Sequence, residues 1–301
     1  MPAEIGFDGK VAVITGAGGG LGRAHALLLA SRGARVVVND VGGSRHGEGQ
    51  DEGPAASVVK EITDAGGEAV ADTHSVATVE GGEAIVQTAV DHFGRVDIVI
   101  NNAGILRDKT FHNMTPEMVE AVIDVHLRGA FNVTKPAWVR MREQSYGRVL
   151  NTSSNSGILG NFGQANYGAA KMGLVGLTRV LAAEGAKYNI KVNALAPLAW
   201  TRMTEDIIGA EHADRFAPEL VSPVACWLVH EDCPVSGEIY SAAGGRVARF
   251  FIGMTEGYYN PRLTPEEVRD HFDQVRDEKG YTVPGSPADE FAALAKLFEQ
   301  G

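Results

Sequence analysis

Short apolar runs alternate with longer segments of helical spacing over most of this chain. The first run, Val11–Thr15, is β-branched and glycines follow it directly, which is typical of a buried parallel strand that enters a turn. Six further strands are predicted at Ala34–Asn39, Ala69–Asp72, Val96–Asn101, Arg148–Thr152, Lys191–Leu195 and Glu238–Ser241. Helices are predicted at Leu21–Ser31, Ala55–Ala65, Val79–Phe93, Thr115–Met141 and Ala165–Tyr188. The alternation predicts an α/β fold, a doubly wound parallel sheet of seven strands with helices on both faces.

The segment after the seventh strand has a different pattern. Helical spacing at Leu263–Val275 and Ala288–Phe298 is joined by Gly280–Pro287. A segment of about 55 residues is too short to form an independent domain of this kind. We therefore expect a main domain over residues 1–245 and a mainly helical extension over 246–301, packed on the main body or on a neighbouring subunit.

Composition and charge narrow the classes of ligand. The formal net charge of -11 argues against nucleic acid as a partner. No apolar run approaches ~18 residues, and the first strand begins too early to leave room for a signal peptide, so we expect no membrane partner and a cytoplasmic location. Cys226 and Cys233 are too few for a disulfide framework, and the nine histidines form no metal-binding motif, so no metal is expected.

A glycine-rich segment, Thr15–Gly22, lies between the first predicted strand and the first predicted helix. This context is typical of dinucleotide binding, because glycines let the backbone approach a pyrophosphate at a helix N-terminus. Asp40 ends the second strand, where a carboxylate can accept both ribose hydroxyls of NAD and repel the 2′-phosphate of NADP. Arg45 in the following loop keeps NADP open. Asn101–Gly104, after the fourth strand, provides small residues for close approach to the adenine ribose.

Ser154, Tyr167 and Lys171 form a candidate acid/base group. Tyr167 and Lys171 are four residues apart, so both side chains lie on one face of a helix. A lysine ammonium one turn away is expected to favour the phenolate of a tyrosine, whose ordinary pKa is about 10. A serine hydroxyl at a nearby strand end can bind the reacting oxygen. The spacing is weak evidence alone, and it gains weight from the upstream glycine-rich segment.

These motifs, in this order, resemble those of the short-chain dehydrogenase/reductase family over roughly residues 8 to 245. A narrower likeness is to (3R)-hydroxyacyl-CoA dehydrogenases, both the dehydrogenase part of peroxisomal multifunctional enzymes and bacterial single-domain relatives. It rests on the segments Val38–Gly43, Val125–Thr134, Asn151–Lys171 and Tyr240–Arg249. The resemblance implies an NAD-dependent oxidoreductase that interconverts a (3R)-hydroxyacyl-CoA and the 3-oxoacyl-CoA. Two alternatives remain, a dehydrogenase of steroid or sterol side-chain hydroxyls and a non-catalytic NAD-binding regulatory protein.

The resemblance also assigns roles to individual residues. Tyr167 would be the acid/base, Ser154 would hold the substrate oxygen, and Lys171 would lower the pKa of Tyr167 and bind the nicotinamide ribose. The implied cofactor-binding residues are Gly16, Gly20, Leu21, Gly22, Asp40, Ser75, Val76, Asn102, Ala103, Gly104, Tyr167, Lys171, Pro197 and Thr201. His126 aligns with the family's usual catalytic asparagine, and it would either relay a proton through water or simply pack in its helix.

The substrate side is less well defined by the sequence. Asn155, Phe162 and Trp200 are candidate substrate residues, because they lie in segments that follow strand ends. Arg107, Lys109 and Arg202 could meet CoA phosphates or could be solvated charges. The family is usually oligomeric, and the long predicted helices favour a homo-oligomer. Because the C-terminal extension would cover the surface that a tetramer uses, we expect a dimer.

Overall fold

Eight strands lie side by side in one sheet in the computed structural model, which describes residues 4–49, 51–206 and 208–298. They are β1 Val11–Thr15, β2 Arg35–Asn39, β3 Glu68–Asp72, β4 Ile98–Asn101, β5 Gly147–Thr152, β6 Ile190–Leu198, β7 Ile239–Ala243 and β8 Arg246–Phe250. Their order is β3-β2-β1-β4-β5-β6-β7-β8, and the pairs from β3 to β7 are parallel. The strand order reverses between β1 and β4, which is where open sheets of this kind bind ligands.

Helices cover both faces of the sheet. They are α1 Gly20–Ser31, α2 Gly53–Asp64, α3 Val79–Phe93, α4 Pro116–Ile123, α5 Gly129–Gln144, α6 Asn155–Leu159, α7 Ala165–Gly185 and α8 Ser222–Val229. Three further helices follow β8 in the chain: α9 Pro265–Asp270, α10 Phe272–Val275 and α11 Pro287–Phe298. Alternate residues of β1 enter opposite cores: Ile14 packs with α1, α2 and α8, whereas Val13 packs with α3 and α5. This two-sided burial explains why the strands are near-continuous apolar runs.

The predicted α/β fold is confirmed, and the sheet has one strand more than predicted. Gly244 and Gly245, with φ of 54° and 80°, connect β7 to β8. A two-residue connection joins antiparallel neighbours. Strand β8 begins at Arg246 and therefore lies within the segment that we assigned to the C-terminal extension. The chain divides into one compact unit that ends at Arg249 and a second that begins at Phe250. How the extension packs stays a prediction.

Pro197 lies two residues beyond Leu195, the predicted end of the sixth strand, and is nevertheless part of that strand. It lies within β6, opposite Ala242 of β7. Neighbouring residues of a strand point their amide groups to opposite sides, and Leu195 faces β5 through its carbonyl, which accepts from Ser153. Position 197 therefore also faces the β5 side, where β5 has already ended at Thr152. A proline is tolerated there because no ladder bond requires its missing N–H.

The long helix predicted over Thr115–Met141 is interrupted. Thr115 caps α4 as the Thr-Pro-Glu pattern suggests, and its side chain accepts from Met118 N. A π-helical turn, Asp124–Arg128, then separates α4 from α5. Such turns occur mostly at functional sites, and this one carries His126.

The second unit contains α9, α10 and α11 together with a β-bridge between Met254 and Thr282. Inside it the rings of Tyr258 and His271 stack with centroids 3.9 Å apart. Within the described residues, no helix is both long enough and apolar enough to span a membrane.

Arg148 should be a major determinant of stability. Its side chain is 1% exposed and donates to the carbonyls of Gly147, Asn189, His230 and Glu231. Because Arg148→Met removes all four of these buried, charge-assisted hydrogen bonds, we expect the free energy of unfolding to fall by about 3 kcal/mol. Urea denaturation measures this. The control is Arg140→Met, which loses only an exposed pair with Glu143 and should change stability by less than about 0.5 kcal/mol. Equal losses would contradict the prediction.

Candidate active site

A cavity of about 410 Å³ lies at the carboxyl ends of the strands, at the point where the strand order reverses. Ten of the predicted cofactor residues line it, drawn from the loops after β1, β2, β3, β4 and β6: Gly16, Gly20, Leu21, Asp40, Ser75, Val76, Asn102, Ala103, Gly104 and Thr201. The fold thus brings together residues that are far apart in sequence. Gly22, Pro197, Tyr167 and Lys171 are not part of this wall.

The loop after β1 is built for close backbone contact. Gly16 has φ of +64°, and a Cβ atom there would lie 2.7 Å from Cα of Ala103. A Cβ atom on Gly22 would lie 2.2 Å from the carbonyl oxygen of Gly16, so Gly22 supports the loop from behind. Gly19 is the N-cap of α1 and has no side chain to cover the first N–H groups of that helix. This geometry fits the pyrophosphate of a dinucleotide.

Thr15 and Asn102 fasten the loop after β1 to the loop after β4. The hydroxyl oxygen of Thr15 accepts from the N–H groups of Asn102 and Ala103 at 3.0 and 3.1 Å. The Asn102 amide donates in return to the carbonyls of Thr15 and Gly16, both at 3.0 Å. We did not predict this role of Thr15, although a hydroxyl at the end of β1 beside the glycines is a usable signal.

Asp40 lies at the cavity end of β2. Its carboxylate accepts from the N–H groups of Gly18 at 2.8 Å and Gly42 at 2.7 Å. A Cβ atom on Gly18 would lie 2.8 Å from the carboxylate, so this position must also remain glycine. The two backbone donors hold the carboxylate in place on the wall, in the position suited to a ribose diol.

Ser154, Tyr167 and Lys171 come together beside the cavity. The Ser154 side chain is close enough to the Tyr167 phenol to lower its pKa, and Nζ of Lys171 lies 5.5 Å from the centroid of the Tyr167 ring. Ser154 is the N-cap of α6, and its hydroxyl also accepts from Ser156 N at 3.1 Å. The arrangement places a hydroxyl, a phenol and an amine in one spot, which suits proton transfer to or from an alcohol oxygen.

Burial dominates the protonation of this group. Lys171 is 3% exposed, and its ammonium donates to the Thr152 carbonyl at 2.6 Å. Burial lowers the pKa of Lys171 to about 7. Burial also raises the pKa of Tyr167 to about 12, with the hydrogen bond from Ser154 acting against this and the charge of Asp108 adding to it. The effect of burial is the largest one on the Tyr167 hydroxyl, and the role of Lys171 in lowering the pKa of Tyr167 stays a prediction.

His126 is buried in the π-helical turn and packs edge-on against the Tyr167 ring, with centroids 5.1 Å apart. Its Nε2 lies 2.8 Å from the Ile105 carbonyl and 3.0 Å from the Ile105 N–H. Burial, and then the charge of Lys171, lower its pKa well below the ordinary value, so the ring is neutral. Within the described part of the chain, Nδ1 has no hydrogen-bond partner. A proton relay through His126 stays a prediction.

The three candidate substrate residues do not all lie next to the acid/base group. Asn155 is adjacent to the site, and its side-chain oxygen accepts from the Ser154 hydroxyl at 3.3 Å. Phe162 is 88% exposed and is not packed into a pocket in this structure. Trp200 is half-buried, and its backbone N–H donates to the Phe216 carbonyl at 2.7 Å. Only Asn155 therefore contacts the acid/base group directly.

Ser153 supports the site, and the sequence did not predict this role. The Ser153 hydroxyl donates to the backbone carbonyl of Lys171 at 2.8 Å and so attaches α7 to the end of β5. Ser153 and Ser154 are adjacent in a polar run after a strand, and only the structure shows which of them faces the helix.

Comparison with known proteins gives a consistent result. The family model described as short chain dehydrogenase matches residues 10–211. A Mycobacterium tuberculosis protein described as a short-chain type dehydrogenase/reductase is 50% identical over 281 residues, or 93% of this chain and 98% of that protein. The mouse peroxisomal multifunctional enzyme type 2 is 46% identical over 309 residues; the match covers all of this chain and 42% of the mouse enzyme.

The solved full-length peroxisomal multifunctional enzyme type 2 from Drosophila melanogaster superposes with a TM-score of 0.84 at 38% identity. The match covers 98% of this chain and 50% of that one. The chain thus spans half the length, or less, of these two multifunctional enzymes.

The buried ammonium should make stability depend on pH. The pKa of Lys171 is about 7 in the folded protein and 10.5 in the unfolded chain, so the fold penalises the charged form. The penalty is complete below pH 7 and disappears as pH rises toward 10.5. Relative to Lys171→Met, wild type should therefore gain about 1.4 kcal/mol of unfolding free energy per pH unit between these limits.

Chemical denaturation of both proteins at pH 6 to 10 measures this difference. Lys60→Met, at an exposed i,i+4 pair with Asp64, is the matched control and should run parallel to wild type. A constant difference between wild type and Lys171→Met across this range would show that Lys171 is not perturbed by burial.

Proposed function

Because the chain belongs to the short-chain dehydrogenase/reductase family, we propose that it interconverts a (3R)-hydroxyacyl-CoA and the 3-oxoacyl-CoA with NAD as the hydride carrier. Family membership makes it an oxidoreductase that acts on CH–OH groups. The acid/base chemistry rests on one observation, the grouping of the Ser154 hydroxyl, the Tyr167 phenol and the Lys171 amine beside the cavity. The thioester substrate is supported by relatives such as the hydroxyacyl-CoA dehydrogenase ChsB1 of Mycobacterium tuberculosis, 40% identical over 92% of this chain.

The residues of the site divide the proton chemistry between them. In the direction of oxidation, Tyr167 accepts the proton of the substrate hydroxyl, and Ser154 donates a hydrogen bond to the oxygen as charge develops on it. In reduction, Tyr167 donates the same proton. Its raised pKa favours the protonated phenol at neutral pH, so reduction should be the easier direction there and oxidation should become faster as pH rises.

NAD, when bound, supplies the hydride acceptor. The glycine loop from Gly16 to Gly22 would hold its pyrophosphate, and Asp40 would accept the adenosine ribose hydroxyls. Ser75, Val76 and Asn102–Gly104 would enclose the adenosine half, whereas Thr201 and Lys171 would serve the nicotinamide half. The cavity volume and its glycine wall accommodate such a group, and Asp40 favours NAD over NADP because of its charge.

We also propose a homodimer with a cytoplasmic location. Apolar side chains of α5 and α7 remain exposed, among them Phe131 at 51%, Val139 at 54% and Val180 at 57%. Helix faces of this kind favour burial against a second copy of the chain.

The substrate assignment predicts selective turnover. NADH formation should occur with (3R)-hydroxyacyl-CoA substrates and not with their 3S isomers, tested at short, medium and long chain length. NADP and a free 17β-hydroxysteroid are the comparison reactions. Activity on the steroid with none on any thioester would move the assignment to sterol-type alcohols and leave the acid/base site unaffected.

Tyr167→Phe should lower kcat by about 10³-fold, because the phenyl ring keeps the packing and loses the titrating hydroxyl. The matched control is Tyr146→Phe, at a half-buried tyrosine that stacks on Lys10 and Arg148 before β5. That variant should retain kcat. Steady-state kinetics of both measure the effect, and unchanged turnover in Tyr167→Phe would exclude Tyr167 as the acid/base.

Asp40→Asn should weaken the preference for NAD. The carboxamide keeps an oxygen for one of the two backbone N–H groups, and it removes the charge that would repel a 2′-phosphate. We expect the ratio of kcat/KM for NAD to that for NADP to fall by roughly 10-fold or more. Asp91→Asn, on the exposed face of α3, is the control and should leave the ratio unchanged. An unaltered ratio in Asp40→Asn would separate Asp40 from cofactor choice.

A further inference from the structure

Asn166, next to Tyr167 in the first turn of α7, is buried with 2% exposure. Its amide group donates two hydrogen bonds, to the Arg107 carbonyl and to the Met118 carbonyl, both at 3.0 Å. Its side-chain oxygen accepts from the N–H of Tyr167 at 2.8 Å. One side chain therefore links three elements: the loop after β4, helix α4, and the backbone of the acid/base residue.

A second set of contacts runs in parallel. Gln164, 7% exposed, donates to the Asp108 carboxylate at 2.6 Å. The Lys109 N–H donates to the Gly163 carbonyl at 2.8 Å. The segment Arg107–Lys109 is therefore attached to the start of α7 at three successive residues. We call this set, made of Asn166 and Gln164 with their partners on Arg107–Lys109 and Met118, the tyrosine clamp.

We propose that Asn166 is a positioning residue that holds Tyr167 in register with the cavity wall. A buried amide whose donors and acceptor are all used has one permitted orientation, because any rotation would leave a polar group unpaired. The N–H of Tyr167 belongs to the first turn of α7 and lacks a partner within its helix. Asn166 supplies that partner from the same side chain that binds the β4 loop.

The clamp should affect turnover more than cofactor affinity. The cofactor part of the β4 loop, Asn102–Ala103, is fastened separately to Thr15 and Gly16. Loss of Asn166 leaves those bonds in place and removes only the bonds to the Tyr167 N–H and to the carbonyls of Arg107 and Met118. Since displacement of a catalytic group by ~1 Å can cost about 10²-fold in rate, we expect Asn166→Ala to lower kcat roughly 10- to 100-fold. The Kd for NADH should change by less than about 3-fold.

The matched control is Asn193→Ala. Asn193 is also fully buried, donates to the Val235 carbonyl at 3.1 Å and accepts from Glu238 N at 3.2 Å, but it belongs to β6 and its partners lie just before β7. Both variants should lose comparable thermal stability, because each removes a satisfied buried amide. Only Asn166→Ala should lose kcat. If Asn166→Ala does not fold, Gln164→Ala is tested with the same measurements. This variant removes the bond to Asp108 and the bond that Gln164 accepts from Asn161 at 2.9 Å, and it leaves Asn166 in place.

This inference rests on the proposed role of Tyr167, and hydrogen exchange tests the clamp without any substrate. In the full-length protein, amide exchange of residues 105–112 and 161–170 should accelerate in Asn166→Ala and stay unchanged in Asn193→Ala. Kinetics with the substrate that wild type turns over, and NADH fluorescence titration, complete the test. Inactive wild type would count against the proposed function, whereas kcat within 3-fold of wild type in Asn166→Ala, unchanged exchange, or equal loss of kcat in Asn193→Ala would overturn the clamp.

Discussion

The site depends on the attachment of α7 to the carboxyl end of β5 through buried hydrogen bonds. Asn151 of β5 donates to Thr178 at 2.9 Å, and Asn101 of β4 donates to Asn151 at 2.8 Å. Farther toward the cavity, Ser153 and the Thr152 carbonyl hold the backbone and the ammonium of Lys171. Apolar packing alone would let a helix slide along the sheet, whereas these directional bonds leave one register. The acid/base group takes its position from that register.

The same attachment creates unusual electrostatics. It places an ammonium, a phenol and an imidazole in a volume from which most water is excluded, and burial penalises the charged form of each. The pKa of Lys171 falls to about 7 and that of Tyr167 rises to about 12, so burial shifts both groups toward their uncharged forms. Local desolvation governs these side chains far more than the net charge of -11 on the whole chain.

The sheet could be predicted from the sequence because strands that are buried on both faces form short, near-continuous runs of apolar residues. Two of these strands, Val11–Thr15 and Val96–Asn101, are mainly apolar runs that end in polar residues at the cavity. Positions 16 and 22 must be glycine, because a Cβ atom at either one would lie less than 3 Å from a neighbouring backbone atom. Backbone requirements of this kind act locally and select the residue type directly. They made the fold and the glycine loop predictable.

Features set by distant partners were not predictable. Pro197 is tolerated inside β6 only because β5 ends at Thr152. The residues around a proline do not indicate how long the neighbouring strand is. The direction of the pKa shift of Tyr167 depends on how deeply α7 is buried. The spacing of Tyr167 and Lys171 in the sequence does not indicate that depth. The third partner of Asn166, Met118, lies 48 residues away and carries no sequence signal.

The neighbourhood of His126 shows how the local and distant constraints meet. A Cβ atom on residue 104 would lie 2.4 Å from Cε1 of His126, so the ring fits only because Gly104 has no side chain. The ring then bonds the backbone of Ile105, while Asn166 bonds the carbonyl of Arg107 two residues later. The β4 loop is thus held between a histidine from the π-helical turn and an asparagine from α7. Tyr167 contacts both residues, so its position depends on how the whole loop packs. A side chain at position 104 would displace the His126 ring, and this displacement would in turn move Tyr167.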